Sequence, residues 1–531
     1  MASSRSGAVL LLMIVAVPCL AQAPAPYQDL YTQLSRNVSD FQTGVDAVSN
    51  GTTFPVAYAG QLTDANCNNG PALLQSSSMP LINSEILLLK AIGVKAISVE
   101  VSFPMLDADF FDSIGQPSYQ SQFTTFYANV AAAIRAQGLK VIVESQSMIP
   151  TGLQSKWGSG LQNYYASIPS FSAYETARAQ TAALVAQTMK PDYFVLQEEP
   201  DTEANQSGQA SAGTVSGSTD MLSRTLAAVR QTSIPGMKIG AGFGTWLQAY
   251  ELFANAFTQQ RCGPMQPCIS APLDFLDLHA FPITEQTVDC SPPPSPKACT
   301  APNFSSNTMA VVATAKTAGV PLSISQTWLR KVRDAEWLQI NGDIQEAREA
   351  YDFWESLDFD FLHAIASLAN YGRMLFVVPF NTQSYSAYLT WNSATALQGE
   401  GGNQTPAQVF AAVQSLGISN AAAATYTTVA TRFHDLIVSD TVPPSAPANV
   451  MVSHPTPATA IVTWTASTDD VGVAGYRILR NGTQIATVFQ PPFQDSGLSA
   501  TATYSYDVIA FDLGGNASTS TAHAKHRAAK H

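Results

Sequence analysis

The chain has 531 residues, of which 46% are apolar and only 12% charged, and its formal net charge is −13. That much apolar material excludes an intrinsically disordered chain and suffices for a large core plus a second domain. The negative balance argues against nucleic acid and anionic membrane as partners and fits a neutral ligand such as a glycan.

Residues 1–23 read as a secretory signal, with Arg5 in the basic region, an apolar run over Ala8–Val17, and small residues at Ala21 and Ala23 for cleavage. That run is short for a membrane span, and no other stretch is long and apolar enough. The expected product is a secreted, extracellular or periplasmic, monomeric protein. In such a compartment Cys262–Cys268 and Cys290–Cys299 are expected to close small disulfide loops, leaving Cys67 over. No histidines stand at ligand spacing to these cysteines, which argues against a metal site there.

Residues 24–50 read as a polar lead-in with a short helix near Tyr27–Leu34. From Phe54 an apolar β-rich run, a polar tip and an amphipathic helix repeat. The runs are 54–62, 94–103, 139–147, Tyr193–Leu196, 237–244, 273–282, 320–328 and 359–369. Between them lie helical stretches at Ser84–Ile92, Phe123–Gln137, Ser172–Lys190, Thr219–Thr232, Trp246–Gln259, Asn307–Ala318 and Gln345–Leu357. Eight such alternations within residues 24–440 predict an α/β fold, a (β/α)8 TIM barrel. A doubly wound sheet is disfavoured, since no glycine-rich phosphate loop follows the first strand. Inserts at Glu203–Ser218 and Thr284–Pro302 follow strand C-terminal ends, where a barrel builds its binding rim. Residues 370–440, with YGRMLFVVPF and a late helix over Pro406–Leu416, read as barrel closure plus a small appendage.

Pro443, Pro444 and Pro447 mark a linker, after which the pattern turns to alternating strands with an Asn481-Gly482 hairpin turn. Residues 441–523 resemble a fibronectin type III module, on Trp464, Tyr476, Leu498, Tyr504, Val508, Ala510, Asp512, Gly515, Asn516 and Ser518. The resemblance implies a small all-β sandwich that serves as a spacer. Residues 524–531 read as a basic, solvated tail.

The chemistry concentrates at strand ends. The apolar run Tyr193–Leu196 passes into Gln197-Glu198-Glu199-Pro200. Two adjacent glutamates are costly at a buried strand end unless they face a cleft. Parallel barrels keep their catalytic groups at such ends. His279 ends the sixth run, Gln326-Thr327-Trp328 the seventh, and Glu144 and Glu100 the third and second. Asp274 and Asp277 read as outward-facing or capping, while Trp328, Trp157, Trp246 and Tyr58 are candidates to stack on sugar rings. There is no Gly-x-Ser-x-Gly elbow, zinc-binding His-Glu-x-x-His helix or phosphate loop.

These motifs resemble the retaining glycoside hydrolases built on (β/α)8 barrels, such as cellulases, mannanases and galactanases. The resemblance implies that Glu199 is the general acid/base, with a pKa raised by burial and a nearby carboxylate. Glu198 stands where that clan has asparagine, His279 matches its sixth-strand histidine, and Phe281 replaces its tyrosine. Gln326 falls on the nucleophile position, where a neutral amide cannot form the glycosyl intermediate. Three explanations stand. Another carboxylate (Glu198, Glu144 or Glu100) does the work; or the substrate's own acetamide attacks, oriented by Gln197 or Gln326; or the barrel binds glycan without cutting it. The expected activity is hydrolysis of O-glycosidic bonds in a polysaccharide, which needs no metal or organic cofactor. Glu199 and Glu198 are the catalytic pair, and Gln197, His279, Gln326, Trp328, Glu144 and Glu100 bind substrate. The alternative is a non-catalytic glycan-binding or cell-surface protein.

Overall fold

The computed structural model describes residues 23–49, 53–151, 155–264, 266–281, 304–333, 336, 342–379, 382–519 and 524–527. Eight parallel strands close a barrel in chain order: β1 (Ala57–Gln61), β2 (Ala96–Glu100), β3 (Lys140–Glu144), β4 (Tyr193–Val195), β5 (Lys238–Gly244), β6 (Phe275–Ala280), β7 (Leu322–Thr327) and β8 (Phe376–Pro379). Pairing of Ala57 with Phe376 and Tyr58 with Val377 makes the closure. The strand alternation sends one set of side chains inward, including Ala59, Ala96, Ile142, Tyr193, Val195, Phe275, Phe376 and Val378. The other set, among them Ile97, Val143, Phe194, Ile239, Leu276 and Ile324, packs outward against the helices. On β5 the inward positions are Gly240, Gly242 and Gly244. A Cβ there would lie 2.1 Å from the Phe275 ring, 2.6 Å from the Asp277 carbonyl oxygen and 2.2 Å from the Trp246 ring, respectively. The alternating glycines of KIGAGFG therefore make room for large groups of β6 and of the loop after β5.

The eighth strand departs from the sequence reading. Residues 359–369 lie within the helix Glu355–Gly372, and β8 comes from the FVVP of the following YGRMLFVVPF. The buried positions Phe361, Leu362, Ile365, Leu368 and Ala369 recur at helical spacing, which an apolar run of that length conceals. The lead-in helix is also longer than expected, Gln28–Ser49, and lies along the helix Glu355–Gly372, with Gln42 hydrogen-bonded to Ser367 at 3.2 Å. The Glu203–Ser218 insert is mostly helical, whereas Thr284–Pro302, with Cys290 and Cys299, lies outside the described residues. Cys262 and Cys268 are disulfide-bonded, and Cys67 is a buried free thiol.

The C-terminal strands form a fibronectin type III sandwich. β9 (Ala448–Thr456), β10 (Thr459–Thr465) and β13 (Phe493–Ser496) make one sheet. The other is made by β11 (Gly475–Arg480), β12 (Thr483–Val488), β14 (Thr503–Phe511) and β15 (Ala524–Arg527). Trp464 and Tyr476 meet between the sheets with ring centroids 5.2 Å apart. Asn481 and Gly482 both take positive φ, 52° and 79°, the geometry of a two-residue hairpin between β11 and β12. Residues 524–527, expected to be a solvated tail, instead pair with β14 as the last strand.

Candidate active site

The C-terminal ends of β2, β3, β4, β6 and β7 converge on one polar cluster. The β4 strand ends at Val195, and the alternation does not continue through the next four residues. Leu196 packs in the outer core. Gln197 turns away to accept a hydrogen bond from Ser218 at 2.8 Å. Glu198 points inward instead. Glu199 precedes the helix Pro200–Ser207, whose Thr202 hydroxyl donates to its Oε2.

A bulge brings Gln326 inward. Leu278 pairs with Ile324 but His279 pairs with Gln326, so β7 carries one extra residue there. Ser325 and Gln326 thereby both serve the interior. Ser325 bonds to His279 Nε2 at 2.9 Å and to Asp277. Gln326 Nε2 donates to Glu144 at 2.8 Å and to Glu198 at 3.3 Å. Ser98 donates to the other oxygen of Glu144. The other oxygen of Glu198, Oε1, is buried with no hydrogen-bond partner. Glu100 accepts from Asn66 at 2.6 Å, Ser102 at 3.2 Å and Asn68 at 3.4 Å. Asp277 corrects the outward reading. It is fully buried on the same face of β6 as His279, and Ser323 also donates to it, at 2.6 Å.

The two adjacent glutamates titrate in opposite directions. Burial pushes Glu198 well above the ordinary carboxylate range, and Glu144, Glu100 and Glu199 push the same way. Burial also carries Glu144 up to about 8, against the hydrogen bonds from Ser98 and Gln326. For Glu199 burial acts upward too, but the hydrogen bond and positive charge of His279, then Thr202 and Arg330, overcome it and hold the carboxyl below its usual range. The imidazole answers in kind. Burial would lower it, yet the 2.8 Å bond from Nδ1 to Glu199 and the charges of Glu199, Asp277 and Glu144 hold it above its ordinary value. The directions differ from the expected upward shift of Glu199: burial raises Glu198, whereas His279 lowers Glu199. Exposure separates them further, at 12% for the Glu199 side chain and 0% for Glu198.

Ligand atoms of Glu144, Glu198 and His279 lie within 4.8 Å of one another. Both ring nitrogens of His279 are engaged, by Glu199 and Ser325, whereas Glu198 Oε1 has no partner. Of the aromatic candidates, only Trp246 lies beside the carboxyls. Its Nε1 donates to Asp201 at 3.0 Å, and its ring lies 5.8 Å from that of Phe281. Trp328 is fully buried, so its ring offers no open face to a sugar. Trp157 packs among Phe110, Phe111 and Phe123, and Tyr58 packs against Phe433.

Arg178 is a residue that the sequence reading missed. It pairs with Glu203 at 2.7 Å and donates to Ser145 Oγ at 3.0 Å, to the Ser145 carbonyl at 2.9 Å and to the Leu196 carbonyl at 3.1 Å. It thus ties the ends of β3 and β4 to the helix that follows Glu199. Its signal was a lone cation on the buried, largely apolar face that also holds Ala179, Ala182, Val185 and Ala186.

No protein-family model matches the chain. Exoglucanase B of Cellulomonas fimi is 41% identical over 83 residues, 16% of this chain and 8% of that protein. Chitinase Chi52 of Paenibacillus xylanexedens is 42% identical over 82 residues, 15% of this chain and 16% of that one. The matches are the size of the C-terminal sandwich. Among solved structures, a double mutant of the Cellulomonas fimi endo-β-1,4-mannanase covers 92% of this chain and 98% of its own at 12% identity and a TM-score of 0.34. The chain is a closed eight-stranded parallel barrel with a C-terminal fibronectin type III sandwich, and the stretches it shares with Exoglucanase B and Chitinase Chi52 span less than a fifth of either relative.

Proposed function

We propose that the protein is an exported glycosidase that hydrolyses O-glycosidic bonds in a polysaccharide, using Glu198 and Glu199 as its acid and base. The observation that carries this reading is the placement of two neighbouring carboxyls at the end of a barrel strand, one buried against Glu144 and Gln326 and pushed up, the other paired to His279 and held down. Such a split is how one site supplies a proton donor and an ionised carboxylate at the same pH. Glu199, paired to His279 and reaching the surface, would act on the sugar as the charged group. Glu198 would hold the proton, positioned by Gln326 and Glu144, with its Oε1 available to a sugar oxygen. Gln326 then serves as a clamp on the acid, not as a failed nucleophile. Among the described residues no helix is long and apolar enough to cross a membrane.

A second reading, glycan binding without turnover, draws on the complete burial of Glu198 and Glu144. A panel of polysaccharides and chromogenic glycosides separates the two. Turnover that falls about 10²–10⁴-fold in Glu199→Gln and Glu198→Gln supports hydrolysis, the size of a general acid/base contribution. Saturable binding with no product from wild type, unchanged in both variants, would replace it with the second reading.

A further inference from the structure

Far from the polar cluster, three aspartates meet where the barrel domain joins the sandwich. Asp440 follows the last barrel helix, Thr428–Ile437. Asp469 lies in the loop between β10 and β11, and Asp512 just after β14. One carboxylate oxygen of each is held by backbone amides. Val442 N–H donates to Asp440 Oδ1 at 3.1 Å, and Asn516 N–H to Asp512 Oδ1 at 2.8 Å. Val471 and Gly472 N–H donate to Asp469 Oδ2 at 2.9 and 2.8 Å. The other oxygen of each, Asp440 Oδ2, Asp469 Oδ1 and Asp512 Oδ2, is buried without a hydrogen-bond partner. The three carboxylates offer ligand atoms within 4.8 Å of one another. Asp512 is only 3% exposed, and no Lys or Arg pairs with any of the three among the described residues.

We infer that Asp440, Asp469 and Asp512 form a binding site for a hard divalent cation, with calcium as the best fit. Unpaired buried carboxylate oxygens repel one another and lose hydration, and a cation removes both costs. Oxygen-only donors select calcium over softer metals. Two oxygens across an ion with bonds of about 2.3–2.6 Å lie up to about 5 Å apart, as here. The amide bonds fix the rotamers, so the donors are preorganised, and waters would complete the coordination. The backbone around the site is tight. A Cβ on Gly514 would meet the Asp440 carbonyl oxygen at 2.8 Å, and one on Gly472 the Lys90 carbonyl oxygen at 2.8 Å. The cation would therefore cross-link the end of the barrel domain to two sandwich loops and stiffen the proline linker. Sites of this kind in extracellular modules bind with Kd of about 10⁻⁴–10⁻³ M.

The test is calorimetric titration of the EDTA-treated, desalted full chain with calcium chloride, alongside melting curves in calcium and in EDTA. One saturable site is expected, with a higher Tm in calcium. Asp512→Asn and Asp469→Asn should weaken binding at least tenfold and lose the calcium-dependent rise, while melting in EDTA no earlier than wild type, because a repulsive charge has gone. If Asp512→Asn does not fold, Asp440→Asn, on the barrel side, carries the same expectation. Absence of saturable heat up to 10 mM, or binding unchanged in these variants, overturns the inference. The polar cluster keeps Glu144, Glu198 and His279 in every variant, so binding there would appear as the unchanged case.

Discussion

Toward the N-terminal ends of its strands the barrel interior is filled by Ala59, Ala96, Ile142, Tyr193, Val195, Phe275 and Phe376. Toward the C-terminal ends β2, β3, β6 and β7, with the segment after β4, present Ser98, Glu100, Glu144, Glu198, Asp277, His279 and Gln326. Both halves are equally closed to solvent, but they are held by different physics. The lower half gains from apolar burial and ring packing, as where Tyr193 lies 4.9 Å from Phe376. The upper half carries the cost of buried carboxyls, offset only by mutual hydrogen bonds and by keeping some of them neutral. Apolar packing is concentrated at one end of the barrel, and buried ionisable groups at the other.

That division can be broken from either side. Phe275→Ala removes a ring from the lower layer and should cost about 3–5 kcal/mol of unfolding free energy. Chemical denaturation measures it, and turnover per folded molecule should change little. A large loss of turnover at unchanged stability would mean that the two halves are not separable.

The upper half should be betrayed by pH. Glu144 keeps its proton in the fold up to about 8, whereas its unfolded value is the ordinary 4.5. The folded state therefore binds more protons, and stability falls as pH rises between those values, by at most roughly 1.4 kcal/mol per pH unit for each such carboxyl. Glu199 works the other way. Its lowered pKa contributes stability above about 4.5 that is lost as pH drops through the folded value. Melting temperature should thus decline from pH 5 to pH 8. Glu144→Gln should flatten that decline, and an identical slope in the variant would contradict a protonated Glu144.

The smallest expected effect lies at the rim. Trp246→Phe loses one hydrogen bond to Asp201 but keeps the ring against Phe281. About 1 kcal/mol of stability should go, with any kinetic change in KM rather than kcat.

The lower half was the more legible in sequence. Seven of its strands announce themselves as apolar runs, and the period of two fixes which residues face inward. The eighth was misplaced because FDFLHAIASLA is apolar enough for a buried strand, yet its spacing serves a helix. The upper half was legible in its residues but not in its directions. Glu198, Glu199, His279 and Gln326 all stand in the cluster. However, the irregular backbone after Val195 and the bulge at Ser325-Gln326 reassign faces that alternation alone would give. Asp277 was recoverable, since it lies two residues before His279 on a regular strand. The opposite pKa shifts of two neighbouring glutamates were not, because they depend on which one meets His279.

That opposition is the central claim, and carboxyl-carbon NMR reads it directly. The chain is labelled at glutamate Cδ, and Glu198→Gln and Glu199→Gln assign the two signals. At pH 6 the Glu198 carbon is expected at the shift of a carboxylic acid and the Glu199 carbon at that of a carboxylate. An ionised Glu198 beside a protonated Glu199 would contradict the account.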